Sequence, residues 1–139
     1  IPLEILEKPA ALTPEELSQI QQHAETSLDL LGSIPGFTCV RDWGGRHHER
    51  LDGSGYPQRT KSSQTTKPGR LCAVADSFAA MICERPFRKG KDILQAAKEL
   101  ANDPRYDQEM ANALFGGFAA GTIGQMIDMD LAVDTPQGD

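Results

Sequence analysis

The stretch HHERLDGSGYP, from His47 to Pro57, carries most of the chemical information in this chain. Its two adjacent histidines offer neutral imidazole nitrogens of the kind that bind metal ions. The glycines at positions 53 and 55 let the backbone turn sharply, because glycine tolerates positive φ and close backbone approach. Pro57 favours an extended backbone at Tyr56, which fixes the direction of the phenol ring. The stretch therefore predicts a ligand-rich helix end that leads into a rigid loop bearing an aromatic side chain.

This stretch resembles the HHExxDGxGYP signature of HD-GYP domains, a bacterial branch of the HD phosphohydrolases known for hydrolysing cyclic di-GMP. An isolated His-His pair is more often a solvated helix end than a metal site. The whole signature is long and irregularly spaced, which argues against a chance match. The likeness covers roughly residues 1–118 and implies an HD-domain-like helical bundle. The chain has no convincing strand run, which also predicts an all-α fold. In that family the GYP loop of this chain would consist of Asp52, Gly53, Gly55, Tyr56 and Pro57.

Composition narrows the class of protein. The 139 residues suffice for one domain with a core. The net charge of -6, from 20 acidic and 14 basic residues, disfavours binding to a nucleic acid polymer, which requires a basic face. No apolar run approaches the roughly 18 residues of a membrane helix, and the chain does not start with a signal-peptide pattern.

Cys39, Cys72 and Cys83 lack CxxC spacing and indicate reduced, packed thiols, so we expect a cytoplasmic protein.

Apolar periodicity predicts helices on both sides of the signature. Thr13-Pro14-Glu15-Glu16 is a strong helix start, because Thr13 can cap the helix and Glu16 can complete a capping box. Gly32 ends this helix. A second helix is predicted over residues 37–50, where Gly44-Gly45 would suit a kink or a close helix crossing. Further helices are predicted over residues 70–83, 91–101 and 107–118, with Ile93, Leu94, Ala97 and Leu100 directed inward.

Two polar residues fall on apolar helix faces. His23 lies on or beside the buried face of the first long helix, where a histidine is more often a hydrogen-bonded core residue than a ligand. Asp76 lies in the middle of the nearly apolar helix 70–83, where an ionised carboxylate needs a compensating cation, metal or hydrogen bonds. A partner arginine or a nearby helix cap explains Asp76 as well as a metal does. The three histidines elsewhere in the chain favour the metal.

The resemblance assigns roles to particular residues by motif. It implies that His23, His47, His48 and Asp76 are metal ligands. Two or three Fe, Mn or similar divalent ions would then activate a bridging water and stabilise charge on the phosphate. It also matches Tyr56, Arg85 and Arg88 to positions that contact the dinucleotide. From the residues alone, a basic turn such as that at 85–89 is usually a solvated face, although its position directly after the Asp76 helix would let it hold phosphate.

The sequence departs from the family pattern in three places. The HDxGK segment that normally precedes the equivalent of Ile1-Pro2 is absent, so no catalytic lysine is assigned. Ala79 replaces the second acid of the AVADxFDA run, and QRTKSSQ follows the GYP loop where DGLKGEE-like residues are usual. We therefore expect a partial HD-GYP domain at 1–118, incomplete at its N-terminal side, followed by a C-terminal helix and tail at 119–139. It is either part of an active domain or a divergent domain without catalysis.

Two functions of different class follow from the resemblance. The first is a phosphodiesterase, a hydrolase of bacterial signal transduction that acts on cyclic di-GMP or a related cyclic dinucleotide. In this shortened chain it would be inactive, with one weakly held metal ion at most. The second is a noncatalytic module that binds protein partners such as diguanylate cyclase domains through the GYP loop. In either case an uncovered apolar face predicts self-association.

Overall fold

The computed structural model describes residues 1–84 and 88–123. In these residues the chain is helical and has no strand, which confirms the all-α prediction. None of the described helices is long and apolar enough to cross a membrane. The helices are α1 (Leu3–Leu6), α2 (Pro14–Gly32), α3 (Thr38–Gly45), α4 (Lys67–Ile82), α5 (Ile93–Ala101) and α6 (Gln108–Ala119), with a 3-10 turn at Ser62–Gln64.

The start of α2 is the predicted capping box. The Glu16 amide donates to Thr13 Oγ1 at 3.3 Å, and the Thr13 amide donates to Glu16 Oε2 at 2.7 Å. Two amides that the helix leaves without intrahelical acceptors are thus satisfied by side chains. Lys8 adds an ion pair to Glu16 at 2.6 Å, which ties the segment before α2 to the helix.

Helix α3 is shorter than predicted, and it ends at Gly45 rather than near residue 50. The His47-His48 pair therefore lies in the turn after the helix and not on its last turn. The double glycine weakens the helix at this point. It also permits the close crossing of α2 and α3, because a Cβ at Gly45 would lie 2.4 Å from the Leu28 side chain. The crossing prediction is confirmed, whereas the predicted helix boundary is wrong.

The core lies between α4, α5 and α6. Its buried cluster consists of Val74, Leu100, Tyr106 and Ala111. On α5, Ala97 and Leu100 are fully buried as predicted. Ile93 and Leu94 are each 45% exposed, so their predicted inward direction is wrong. They occupy the first turn of α5, ahead of the buried stripe that begins at Ala96.

Two further predictions concern the cysteines and the C-terminal tail. The three cysteines are free thiols, but Cys39 and Cys83 are exposed, so the prediction that they pack is wrong for these two. Cys39 belongs to the exposed first turn of α3, and Cys83 follows the last residue of α4. The predicted C-terminal tail lies outside the described residues from position 124 onward. The division at residue 118 therefore stays a prediction.

Candidate metal centre

Three imidazoles from two parts of the fold meet at one point. His23 belongs to α2, and His47 and His48 belong to the turn after α3. His23 Nε2 lies 3.3 Å from His47 Nε2 and 3.1 Å from His48 Nε2. Metal–imidazole bonds of about 2.0–2.1 Å place tetrahedral ligand nitrogens about 3.3 Å apart. The spacing of the three nitrogens therefore fits a single divalent metal ion.

The other ring nitrogens set the tautomers of two of these histidines. His23 Nδ1 is hydrogen-bonded to the carbonyl of Ile20, and His47 Nδ1 is hydrogen-bonded to the carbonyl of Gly44. A carbonyl only accepts, so each Nδ1 must carry the proton and each Nε2 keeps a free lone pair. Backbone carbonyls that orient imidazoles in this way are a common outer shell of metal sites. The donor set therefore fits a metal in its chemistry as well as in its spacing.

His48 faces Asp76 of α4 with its remaining nitrogen. The distance from His48 Nδ1 to Asp76 Oδ2 is 3.5 Å. Burial, together with the smaller effects of His47, His23 and the Arg50 guanidinium, lowers the pKa of His48 to about 3. His48 is thus a neutral imidazole near pH 7, which is the form that binds metals. Asp76 lies on the Nδ1 side of His48, outside the group of three close ligand atoms, so its role as a ligand stays a prediction.

Tyr56 of the GYP loop forms one wall of this centre. Its ring stacks on His48 with centroids 4.6 Å apart, and it meets the edge of His23 at 6.5 Å. Burial raises the pKa of Tyr56, so the phenol stays protonated and can donate a hydrogen bond. Gly53 has φ +83, and a Cβ at Gly55 would lie 2.4 Å from the His48 carbonyl oxygen. Both glycines therefore meet the requirements predicted from the sequence, and the Tyr56–Pro57 peptide is cis.

The loop is anchored by Glu49, to which the sequence analysis gave no role. Glu49 is only 3% exposed. Its Oε1 accepts from the Gln58 amide at 2.7 Å, and its Oε2 accepts from the Thr60 amide at 2.8 Å. The signal was present, because an acid follows directly on the histidine pair. The role of Glu49 could not be predicted, because its two amide partners reach it only when the chain folds back after Pro57.

Arg50, the next residue, joins the signature to the core. Its guanidinium donates to Ser77 Oγ at 3.1 Å and lies over the Tyr106 ring, 4.5 Å from the centroid. Tyr106 donates to the same Ser77 hydroxyl at 3.1 Å. This contact connects the turn of His47 and His48 to α4 and to the residues before α6. Sequence reasoning missed Arg50 because a lone arginine in a charged stretch has no distinguishing pattern.

Two arginines that follow the GYP loop in the sequence were predicted to contact phosphate. Arg85 is outside the described residues. The Arg88 guanidinium donates to the carbonyls of Ala80 at 2.6 Å and of Met81 at 3.4 Å, at the C-terminal end of α4. Cations at this end of a helix satisfy carbonyls that have no intrahelical partner. Contact of Arg85 and Arg88 with phosphate stays a prediction.

Several known proteins are similar in sequence to this chain. The sequence profile of the HD domain matches residues 1–110. A 3'3'-cGAMP-specific phosphodiesterase of Vibrio cholerae is 44% identical over 87 residues, which is 63% of this chain and 20% of that protein. A cyclic di-GMP phosphodiesterase of Thermotoga maritima is 39% identical over 102 residues, 72% of this chain and 28% of that protein. A cyclic di-GMP phosphodiesterase response regulator of Xanthomonas campestris is 38% identical over 123 residues, 86% of this chain and 32% of that protein.

Each alignment covers a larger share of this chain than of the relative. Most of this chain is matched, whereas it spans about a fifth to a third of the length of these relatives. The profile match over residues 1–110 includes the three histidines and the GYP loop. The activity named for each relative is that of its whole protein.

Proposed function

The chain belongs to the HD domain family, of the HD-GYP type, and from this premise we propose that it takes part in the metal-dependent hydrolysis of cyclic di-GMP or a related cyclic dinucleotide. The relatives named as phosphodiesterases of cyclic di-GMP and of 3'3'-cGAMP support this substrate class. The single observation that carries the proposal is the convergence of three Nε2 atoms from His23, His47 and His48.

The residues of the chain would divide the work as follows. His23, His47 and His48 hold a divalent ion such as Fe or Mn, because neutral imidazoles suit these metals. When bound, such an ion supplies positive charge beside the phosphate and a water of lowered pKa. Tyr56 covers the face of His48 and offers a phenolic O–H to the substrate. Asp76 orients His48 or joins the ligands when the metal binds.

We further propose that this chain by itself holds at most one metal ion, weakly, and has no appreciable phosphodiesterase activity. Two neighbouring divalent cations repel each other and need several carboxylates between them. Within the described residues, Asp76 is the acid paired with the three imidazoles, and its side chain is 40% exposed. One partly exposed carboxylate offsets little of that repulsion.

The test is metal analysis of the purified chain combined with turnover of cyclic di-GMP. The expected result is one Mn²⁺ or Fe²⁺ ion at most, with a higher melting temperature in excess metal because only the folded chain brings His23 to the His47-His48 turn. His23→Ala abolishes this stabilisation. The matched control is Gln22→Ala, one position away on α2, because it changes an exposed side chain and leaves all three imidazoles in the chain.

Each outcome has a distinct meaning. Metal stabilisation that survives His23→Ala contradicts the proposed centre. Two tightly bound ions, or rapid hydrolysis by the chain alone, contradict the proposed weak binding while supporting the family chemistry. Metal binding without any affinity for a cyclic dinucleotide would favour the other candidate, a module that recognises protein partners such as diguanylate cyclase domains. The exposure of Asp52 and Ser54 on the GYP loop is compatible with such a contact.

A further inference from the structure

Arg59 has a backbone conformation that an arginine rarely adopts. Its φ is 54°, in the left-handed region, and no other non-glycine residue in the described part of the chain has a positive φ. In this region the Cβ of an L residue crowds the following carbonyl. Every residue type except glycine therefore adopts this conformation at a cost in free energy. Such conformations persist where the surrounding structure enforces them, and they concentrate at functional sites.

The enforcing contact is the Glu49 carboxylate. Its two oxygens accept from the amides on either side of Arg59, at Gln58 and at Thr60. Glu49 is almost completely buried, so these two charge-assisted hydrogen bonds are shielded from water. The backbone at Arg59 is therefore clamped in place from both sides.

The two Glu49 hydrogen bonds tie the backbone around Arg59 to the segment that carries His47 and His48. Glu49 directly follows His48 in the chain, and Tyr56, which stacks on His48, precedes Arg59 by three residues. Three residues span at most about 11 Å. Arg59 is exposed, and within the described residues its guanidinium has no hydrogen bond or ion pair. A long cationic side chain thus lies within a few residues of the candidate metal centre along the chain, and its donors have no partner among the described residues.

We propose that Arg59 is a substrate-binding residue whose guanidinium binds the phosphodiester of the cyclic dinucleotide. The inference rests on the proposed function, because its ligand is the proposed substrate. The chain carries a net charge of -6, which repels an anionic ligand unless cations line its path. Guanidinium is well suited to this role, since its planar donors match two phosphate oxygens at once.

The substitution Arg59→Gly separates this role from a structural one. Glycine adopts the left-handed conformation without strain, so the variant should melt at a temperature no lower than the parent chain. In excess Mn²⁺, its affinity for cyclic di-GMP should fall about ten- to a hundred-fold, as expected for the loss of a charge-assisted contact. Arg59→Lys keeps the charge but loses the planar fork, and its affinity should fall between the two. Isothermal titration calorimetry and thermal melting provide both readouts.

The matched control is Lys98→Ala, which removes one positive charge from an exposed position on α5. It should leave the affinity unchanged. Equal affinities of Arg59→Gly and the parent, or an equal loss in Lys98→Ala, would overturn the proposal. A parent that binds linear diguanylate but not cyclic di-GMP, with loss on Arg59→Gly, would refute the proposed substrate and support the role of Arg59. A parent that binds neither nucleotide would overturn both.

Discussion

At the scale of single residues, the candidate centre depends on which nitrogen of each imidazole carries the proton. The carbonyls of Ile20 and Gly44 settle this for His23 and His47. Burial and two neighbouring imidazoles keep His48 uncharged, with its pKa lowered to about 3. The fold thus brings three uncharged imidazoles together with their Nε2 atoms at one point. Contacts among three uncharged polar groups add little to the stability of the fold.

The low pKa of His48 predicts acid sensitivity of the metal-free chain. Between about pH 6.5 and about pH 3 the unfolded chain binds a proton at His48 that the folded chain excludes. The free energy of unfolding should therefore fall as the pH is lowered through this range, by at most about 1.4 kcal/mol per pH unit from this group. Urea denaturation with a chelator present, from about pH 7 to about pH 5, measures the slope. His48→Gln should have a shallower slope, and equal slopes would contradict the prediction.

Glu49 should contribute strongly to stability through its two amide contacts. In Glu49→Gln one acceptor oxygen becomes an NH₂ group that faces an amide donor, so a buried hydrogen bond is lost. We expect a decrease of about 1–3 kcal/mol in the free energy of unfolding. Glu25→Gln, on an exposed position of α2, makes the same chemical change without this effect. A similarly small effect at both positions in urea denaturation would refute the role given to Glu49.

At the scale of elements, the close crossing of α2 and α3 brings His23 to His47 and His48. Gly45 makes it possible, because a Cβ there would lie 2.4 Å from Leu28. Gly45→Ala should lower the free energy of unfolding by about 1–3 kcal/mol, the usual cost of overpacking. It should also weaken Mn²⁺ binding, because the two parts of the metal centre are pushed apart.

Gly116→Ala is the matched control for that substitution. Nothing lies within 4 Å of a Cβ at Gly116, which is also inside a helix. Alanine there should raise the free energy of unfolding by about 0.5–1 kcal/mol, because it favours helix more than glycine does. Thermal and urea denaturation of both variants should give changes of opposite sign. Stabilisation by Gly45→Ala would show that the crossing is not tight.

The helices themselves could be predicted from the sequence, and the exceptions have physical reasons. The capping box at Thr13 and the apolar run of α4 are local signals, and both were confirmed. The end of α3 coincides with Gly44-Gly45, which lies against Leu28 of α2. The sequence shows this glycine pair, but it does not show whether the pair ends the helix or only permits a close crossing. The exposure of Ile93 likewise reflects how far α5 is covered by its neighbours. The histidine pair was predicted from its motif, but the clamp of Glu49 on Gln58 and Thr60 exists only after folding.

At the scale of the whole molecule, the three imidazoles lie on one part of the fold and the hydrophobic core cluster on another. The core joins α4, α5 and α6, whereas the imidazoles come from α2 and the turn after α3. Arg50 connects the two through Ser77 and Tyr106. Metal bound to the imidazoles would therefore stabilise the part of the molecule that has the fewest buried apolar residues.

Exposed apolar side chains between the last turn of α2 and the start of α3 predict self-association of the chain. Leu30 is 63% exposed, Ile34 39% and Phe37 40%, all within the short stretch between the last turn of α2 and the start of α3. Exposed large apolar side chains that occur close together in a chain are candidates for an association surface. Sedimentation velocity should show a concentration-dependent increase in mass for the parent chain. Leu30→Gln combined with Ile34→Gln should shift it toward monomer, whereas Leu94→Gln, at a 45% exposed position on α5, should not. A parent chain that stays monomeric at high concentration would contradict the prediction.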